Sequence, residues 1–251
     1  MKALWKPKVA SVVGAASVAY LGVETSGGPH VTPLLFAATP DRIWFGIGRG
    51  TLKARVLAKR PSVGIVVPGD EASVAIRGEA TLLDRLPASP AELARAPFAL
   101  PAFASRNAFE MAAFARDLAR SASQPQPLAP LSVRIESLEL LAGWSAGAVL
   151  GWMTPIGPIA LPARWDEKTS RAHVPSAPLK QAGGPRTATA CICVDESKGR
   201  GPLAKRGRLL RGNAHARVRG DTATVALEIE RVTKWKGFET RTDPQPLATN
   251  A

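Results

Sequence analysis

The chain has 251 residues, 45% hydrophobic and 21% charged, which excludes a disordered chain and allows a real core without disulfide or metal staples. Lys and Arg number 33 against 20 Asp and Glu, a formal net charge of +13. Such an excess points to an anionic partner, whether a phosphate, a nucleotide cofactor, nucleic acid or acidic lipid. Two Cys and three His rule out a disulfide scaffold and a multi-finger zinc protein, and no metal site is expected.

Early lysines precede an Ala-, Val- and Gly-rich stretch over 9–23. It invites comparison with a secretory signal, yet it runs on into strand-like alternation without a small-residue cleavage site and polar mature start. No segment reaches the ~18–20 apolar residues of a membrane span. The expectation is a cytoplasmic protein with no membrane partner.

Short apolar runs bounded by Gly, Pro and Asp follow: YLGVET (20–25), HVTPLLFAAT (30–39), RIWFGIG (42–48), SVGIVVPG (62–69) and SVAIRGEATLLD (73–84). Their Val, Ile and aromatic content suits strands. Ser26-Gly27-Gly28-Pro29 reads as a hairpin turn. Within GTLKARVLAKRP (50–61), Leu52, Val56 and Leu57 share a helical face and Pro61 closes a helix of ~8–10 residues. Segment 89–121 is expected to be helical, with Phe109, Ala112, Ala113 and Phe114 opposite Arg106, Glu110 and Arg120. VRIESLELLAGW (133–144) supplies a last strand.

The remainder repeats this order. Tyr20-Leu21-Gly22-Val23-Glu24-Thr25 resembles Val149-Leu150-Gly151-Trp152-Met153-Thr154, and Gly28-Pro29 with Pro33 resembles Gly157-Pro158 with Pro162 at the same spacing. Leu52-Lys53 matches Leu179-Lys180, Arg77-Gly78 matches Arg211-Gly212, and VRIESLELLAGW resembles ALEIERVTKW (226–235). Five matches in one order, with segment 89–121 as the single large insertion, indicate a duplication. The second copy has Pro178 in the place of Thr51, and Gly183-Gly184-Pro185 should break its helix early.

The expected fold is therefore mainly β with some helix: two tandem six-stranded split β-barrels packed as a pseudo-dimer. Residues 8–145 form the first half with its helical insert, 146–242 the second, and 243–251 a flexible tail. The two halves are expected to associate with each other within one chain, with a site at their seam.

Arg49, Gly50, Thr51, Lys53 and Arg55 place a Gly turn, a hydroxyl and cations at a helix start, which makes a plausible phosphate clamp. The spacing is not that of a P-loop, and a solvated basic helix explains it as well. The order PHVTPLLF, RIWFGIGRGTLKARVLAKRPSVGIVV, VAIRGEATLLD resembles the pyridoxamine 5′-phosphate oxidase-like family of flavin-binding split barrels over residues 18–85. The second half resembles it more faintly.

That resemblance implies FMN, or a deazaflavin cofactor, between two barrels. It assigns phosphate binding to Thr51 and Lys53, and the ring-flanking strand to Val31, Thr32, Pro33 and Leu34. Arg211 and Trp235 become candidates from the partner barrel. One competent site and one degenerate pseudo-site are implied. The function so implied is a flavin-dependent oxidoreductase acting on a small molecule. The alternatives are a deazaflavin-dependent reductase and a non-catalytic binding protein that lost the cofactor. No catalytic residue is assigned.

Cys191 and Cys193, at i and i+2 on a strand, read as core. Among the histidines only His30, beside the implied flavin strand, has a functional case. No Ser-His-Asp arrangement is present. KGRGPLAKRGRLLRG (198–212) is basic without interleaved aromatics, so a nucleic-acid partner is not expected and a polyanionic cofactor suits it better. Stretches 49–60 and 198–211 are expected to converge on one anion.

Overall fold

The computed structural model describes residues 5–83, 101–119, 128–145, 147–197, 204–237 and 239–244. Helix α1 (Pro7–Ala15), unforeseen in the sequence, precedes strand β1 (Val18–Thr25). Strands β2 (Gly28–Thr39) and β3 (Arg42–Gly48) lead to helix α2 (Leu52–Leu57). Strands β4 (Ser62–Val67), β5 (Ala72–Leu82) and β6 (Leu128–Ala142) complete a closed barrel in the order β1-β2-β3-β6-β5-β4. Closure leaves none of these strands with an open edge.

The second half repeats this plan with β7 (Ala148–Thr154), β8 (Gly157–Asp166), β9 (Arg171–Pro175), helix α4 (Ser176–Gln181), β10 (Thr187–Asp195), β11 (Arg206–Arg219) and β12 (Thr222–Lys236). Its sheet runs β11-β10-β7-β8-β9-β12, and a further β11–β12 pairing closes the ring. A seventh strand, β13 (Glu239–Pro244), hairpins onto β12. Pairing thus reaches two residues past the expected boundary at 242, and 245–251 lie outside the described residues.

The matched residues recur for backbone reasons. The β1–β2 turn has Gly28 at φ +91°, and Thr25 Oγ1 donates to Gly28 O at 2.6 Å. Its counterpart has Gly157 at φ +109°, and Thr154 Oγ1 donates to Gly157 O at 2.7 Å. Positive φ favours Gly at both. Each Arg-Gly match marks a register shift, at Arg77/Gly78 and at Arg211/Gly212. A Cβ on Gly212 would lie 1.8 Å from Glu228 O, so only Gly fits that bulge.

Alternation along the strands separates core from seam. In β1, Ala19, Leu21 and Val23 enter the first core, with Phe36, Phe45 and Leu131. In β7, Ala148, Leu150 and Trp152 enter the second. The opposite faces meet as a third cluster holding Tyr20, Val31, Val66, Val149, Ala160, Cys191, Cys193 and Leu209. β8 packs on β1 and β4, as β2 packs on β7 and β10. The backbones approach closely there, because a Cβ on Gly64 would lie 2.5 Å from Ala160 N.

Three local expectations need correction. Helix α2 spans six residues and buries Lys53, Ala54 and Leu57 rather than Leu52. Helix α4 is just as long as α2. Pro178 falls in its first turn, where a missing N–H costs little, and Gly183 at φ +60° simply ends it. In the insert, residues 101–106 are helical and helix α3 spans Ala108–Ala119, while 84–100 and 120–127, including Arg120, lie outside the described residues. Its buried face is Asn107, Ala113 and Asp117, and Phe109 is 74% exposed. Asn107 Nδ2 donates to Phe36 O, and Arg106 turns inward to Val13 O. Polar anchoring to backbone carbonyls, which apolar periodicity does not report, sets this face.

Candidate anion site at the seam

Lys53 points inward from α2 and is 8% exposed. Its Nζ donates to Thr32 Oγ1 on β2. Two residues along the same strand stands His30. From the other half, Arg211 on β11 donates from Nη2 to Thr233 Oγ1 on β12 at 3.0 Å. His30 feels both cations. Burial, then the charges of Lys53 and Arg211, hold His30 down at about 3. Burial lowers Lys53 to about 8. Burial and Arg231 lower Arg211.

No carboxylate is among the groups acting on these three residues, and neither cation forms an ion pair among the described residues. His30 Nδ1 and Arg211 Nε are buried without a hydrogen-bond partner. Buried cations are normally paired, and orphaned buried polar atoms cost about 1–3 kcal/mol each. An anion with several acceptor oxygens would satisfy both, so the residues present fit a phosphate group.

The cluster opens onto a cavity of about 700 Å³. His30, Thr32, Pro33 and Leu34 form one wall, and Leu209, Thr233 and Trp235 face them from the second half. Phe103, Met111 and Phe114 of the insert also line it.

Of the expected residues, Thr32, Pro33, Leu34 and Trp235 line this cavity, with Lys53 and Arg211 beside it. Val31 instead packs wholly buried in the seam. Arg49 and Gly50 are exposed in the turn before α2 and do not line the cavity. Thr51 caps α2: its hydroxyl donates to Gly48 O at 2.7 Å and accepts from Ala54 N. Of the two basic stretches, Lys53 and Arg211 reach His30, and Lys205 also lines the cavity. Arg60 pairs with Glu24, and Arg208 with Glu167 and Glu196. Positions 198–203 lie outside the described residues.

Cys191 and Cys193 sit fully buried in the seam, and burial raises both thiols, Cys191 to about 12. They are packing groups. Among the described residues no cluster of three or more His, Cys, Asp or Glu could hold a metal, and no helix is long and apolar enough to cross a membrane.

The equivalent cleft on the other side of the seam measures about 240 Å³. Ile159 and Leu161 replace His30 and Thr32, and Pro178 replaces Thr51. Arg77, the counterpart of Arg211, pairs with Glu136 at 3.7 Å. Lys180 is exposed and donates to Gly220 O at 3.2 Å.

The fold and the seam define a duplicated split-barrel protein with, among the described residues, a cationic cleft at the seam. Residues 6–118, somewhat less than half of the chain, match the family model described as pyridoxamine 5′-phosphate oxidase. No curated protein matches the chain. Among solved structures it is similar to a FAD-binding protein from Mesorhizobium loti, at 18% identity over 53% of this chain and 89% of that one, TM-score 0.39. It is also similar to the general stress protein 26 from Bacillus anthracis, at 13% identity over 53% and 91%, TM-score 0.37. A third is a protein related to general stress protein 26, of the pyridoxinephosphate oxidase family, from Clostridium acetobutylicum, at 11% over 62% and 92%, TM-score 0.38.

Proposed function

We propose that the seam cavity binds FMN and that the protein is a flavin-dependent oxidoreductase acting on a small molecule. The observation that carries this reading is the cluster of buried Lys53 with half-buried His30 and Arg211, with two unpartnered nitrogens and no carboxylate acting on them, at one end of a largely apolar cavity. Lys53 and Arg211 would hold the phosphate by charge-assisted hydrogen bonds. His30, kept neutral by its surroundings, can offer an N–H without adding charge. Pro33, Leu34 and Trp235 offer apolar surface to a planar ring. FMN, when bound, supplies hydride chemistry, and the protein supplies binding, orientation and exclusion of water.

Titration of the purified protein with FMN, followed by flavin fluorescence, tests this. The reading expects saturable quenching at one FMN per chain and a shifted visible spectrum. A protein that leaves FMN fluorescence unchanged would contradict it, and saturation by a deazaflavin cofactor in FMN's place would transfer the site to that cofactor.

A further inference from the structure

The cationic cluster lies at one end of the cavity. His30 and Thr32 lie toward the start of β2, whereas the insert docks at Phe36, whose carbonyl accepts from Asn107 Nδ2 at 3.1 Å. Six residues of strand at ~3.3 Å each put the two ends roughly 20 Å apart. Between them the wall passes through Pro33, Leu34 and Leu35.

At the far end Phe103, Met111 and Phe114 close over Leu35 and Gly46, with Leu128 beside them. A Cβ on Gly46 would lie 3.7 Å from Phe103 Cζ, so the insert rests directly on the barrel. Arg106 fixes it further, through Val13 O at 2.6 Å and by stacking over the Phe36 ring at 4.4 Å. Among the described residues the insert brings no Lys or Arg to the cavity and one acid, Glu110, while Asp195 and Lys205 line it from the second half. The insert belongs to the first copy of the repeat alone, the same copy that carries His30, Thr32 and the buried Lys53.

We infer that the distal end, roofed by the insert, is a second subsite that takes an uncharged, apolar, ring-sized compound, and that Met111 and Phe114 determine its specificity. Its identity as the substrate subsite rests on the flavin reading above; its ability to bind an apolar ring does not. Apolar walls favour a ligand by roughly 25 cal/mol per Å² removed from water. An anionic compound would instead be drawn to the cationic end, where Lys53 and Arg211 stand.

The test uses N-phenyl-1-naphthylamine, an uncharged two-ring fluorophore that brightens in apolar surroundings, with the full-length protein. The wild type should bind it saturably at one per chain. Phe114→Asp and Met111→Glu should each weaken it at least tenfold while FMN binding stays within twofold. Lys53→Met should weaken FMN and leave the probe unchanged. Phe109→Asp, on an exposed ring that does not line the cavity, is the control and should leave probe binding intact. Absence of probe binding, or equal binding by wild type and Phe114→Asp, would overturn the subsite. Loss in Phe109→Asp as large as in Phe114→Asp, together with self-association of the wild type in sedimentation, would also overturn it by marking an interface between copies. Probe results as expected in a protein that ignores FMN would sink the flavin reading and leave the apolar subsite standing.

Discussion

The two copies of the repeat share a backbone and differ in chemistry. At matched register, His30 faces Val23 across the β1–β2 ladder as Ile159 faces Trp152 in β7–β8. Thr32 opposite Leu21 corresponds to Leu161 opposite Leu150. The lysines on α2 and α4 are both retained, yet Lys53 is buried on Thr32 while Lys180 turns out to a backbone carbonyl. Both arginines sit at bulges, and only Arg77 has an acid beside it. Duplication kept every residue the backbone needs at Gly28 and Gly157 or Gly78 and Gly212. The copies differ instead around the cationic cluster, with His30 and Thr32 in one and Ile159 and Leu161 in the other.

The sharpest way to break this contrast is Lys53→Met. Removing a buried charged donor from an anion should cost about 1.5–3 kcal/mol of binding, roughly 10- to 150-fold in Kd for FMN. Fluorescence titration measures it, and an unchanged Kd would place the anion elsewhere. Next is the seam on which the site depends. Gly64→Ala forces a Cβ against the β8 backbone and should lower stability by about 1–3 kcal/mol in denaturant unfolding. A neutral result would mean that the halves are not held this tightly.

Proton linkage comes third. Lys53 is lowered to about 8 by burial and would lose its charge as pH rises past that value, whereas an anion favours the charged form. FMN affinity should therefore fall as pH climbs from 7 through 8 and 9, and Lys53→Met should flatten the profile. In the ligand-free protein the sign reverses. The unfolded chain holds this proton up to its ordinary value near 10.5, so stability should rise with pH between about 8 and 10.5. His30, neutral in the fold down to about 3, should make the protein lose stability as pH falls from 6.5 toward 3. Urea midpoints across pH check both windows, and His30→Phe should remove the acid one. The smallest effect is Lys180→Ala, an exposed change expected within about 0.5 kcal/mol in stability and without effect on FMN.

The duplication and the two barrels were legible in the sequence because turns and bulges constrain residue type locally. Thr25-x-x-Gly28 and Arg77-Gly78 recur since positive φ and close approach admit little else. Thr32, Pro33, Leu34, Lys53, Arg211 and Trp235 were reached through family resemblance together with the repeat. Lys53's burial was not legible, because an amphipathic basic helix reads alike whichever way its lysine points, and Leu52 looked the better inward residue. Arg49 and Gly50 lie in an exposed turn and Thr51 caps α2, placements that residue spacing does not distinguish from a clamp. The insert's role at the cavity was invisible for a different reason: it depends on Asn107 and Arg106 reaching carbonyls 71 and 93 residues away, and no local pattern encodes that.

The central claim is one anion site per chain, built on the first copy and completed by the second. Equilibrium titration of wild type, Lys53→Met and Lys180→Ala with FMN tests it most directly. The account predicts one FMN per chain for wild type and Lys180→Ala, with affinity weakened at least tenfold in Lys53→Met. Two FMN per chain, or equal losses in the two variants, would contradict it.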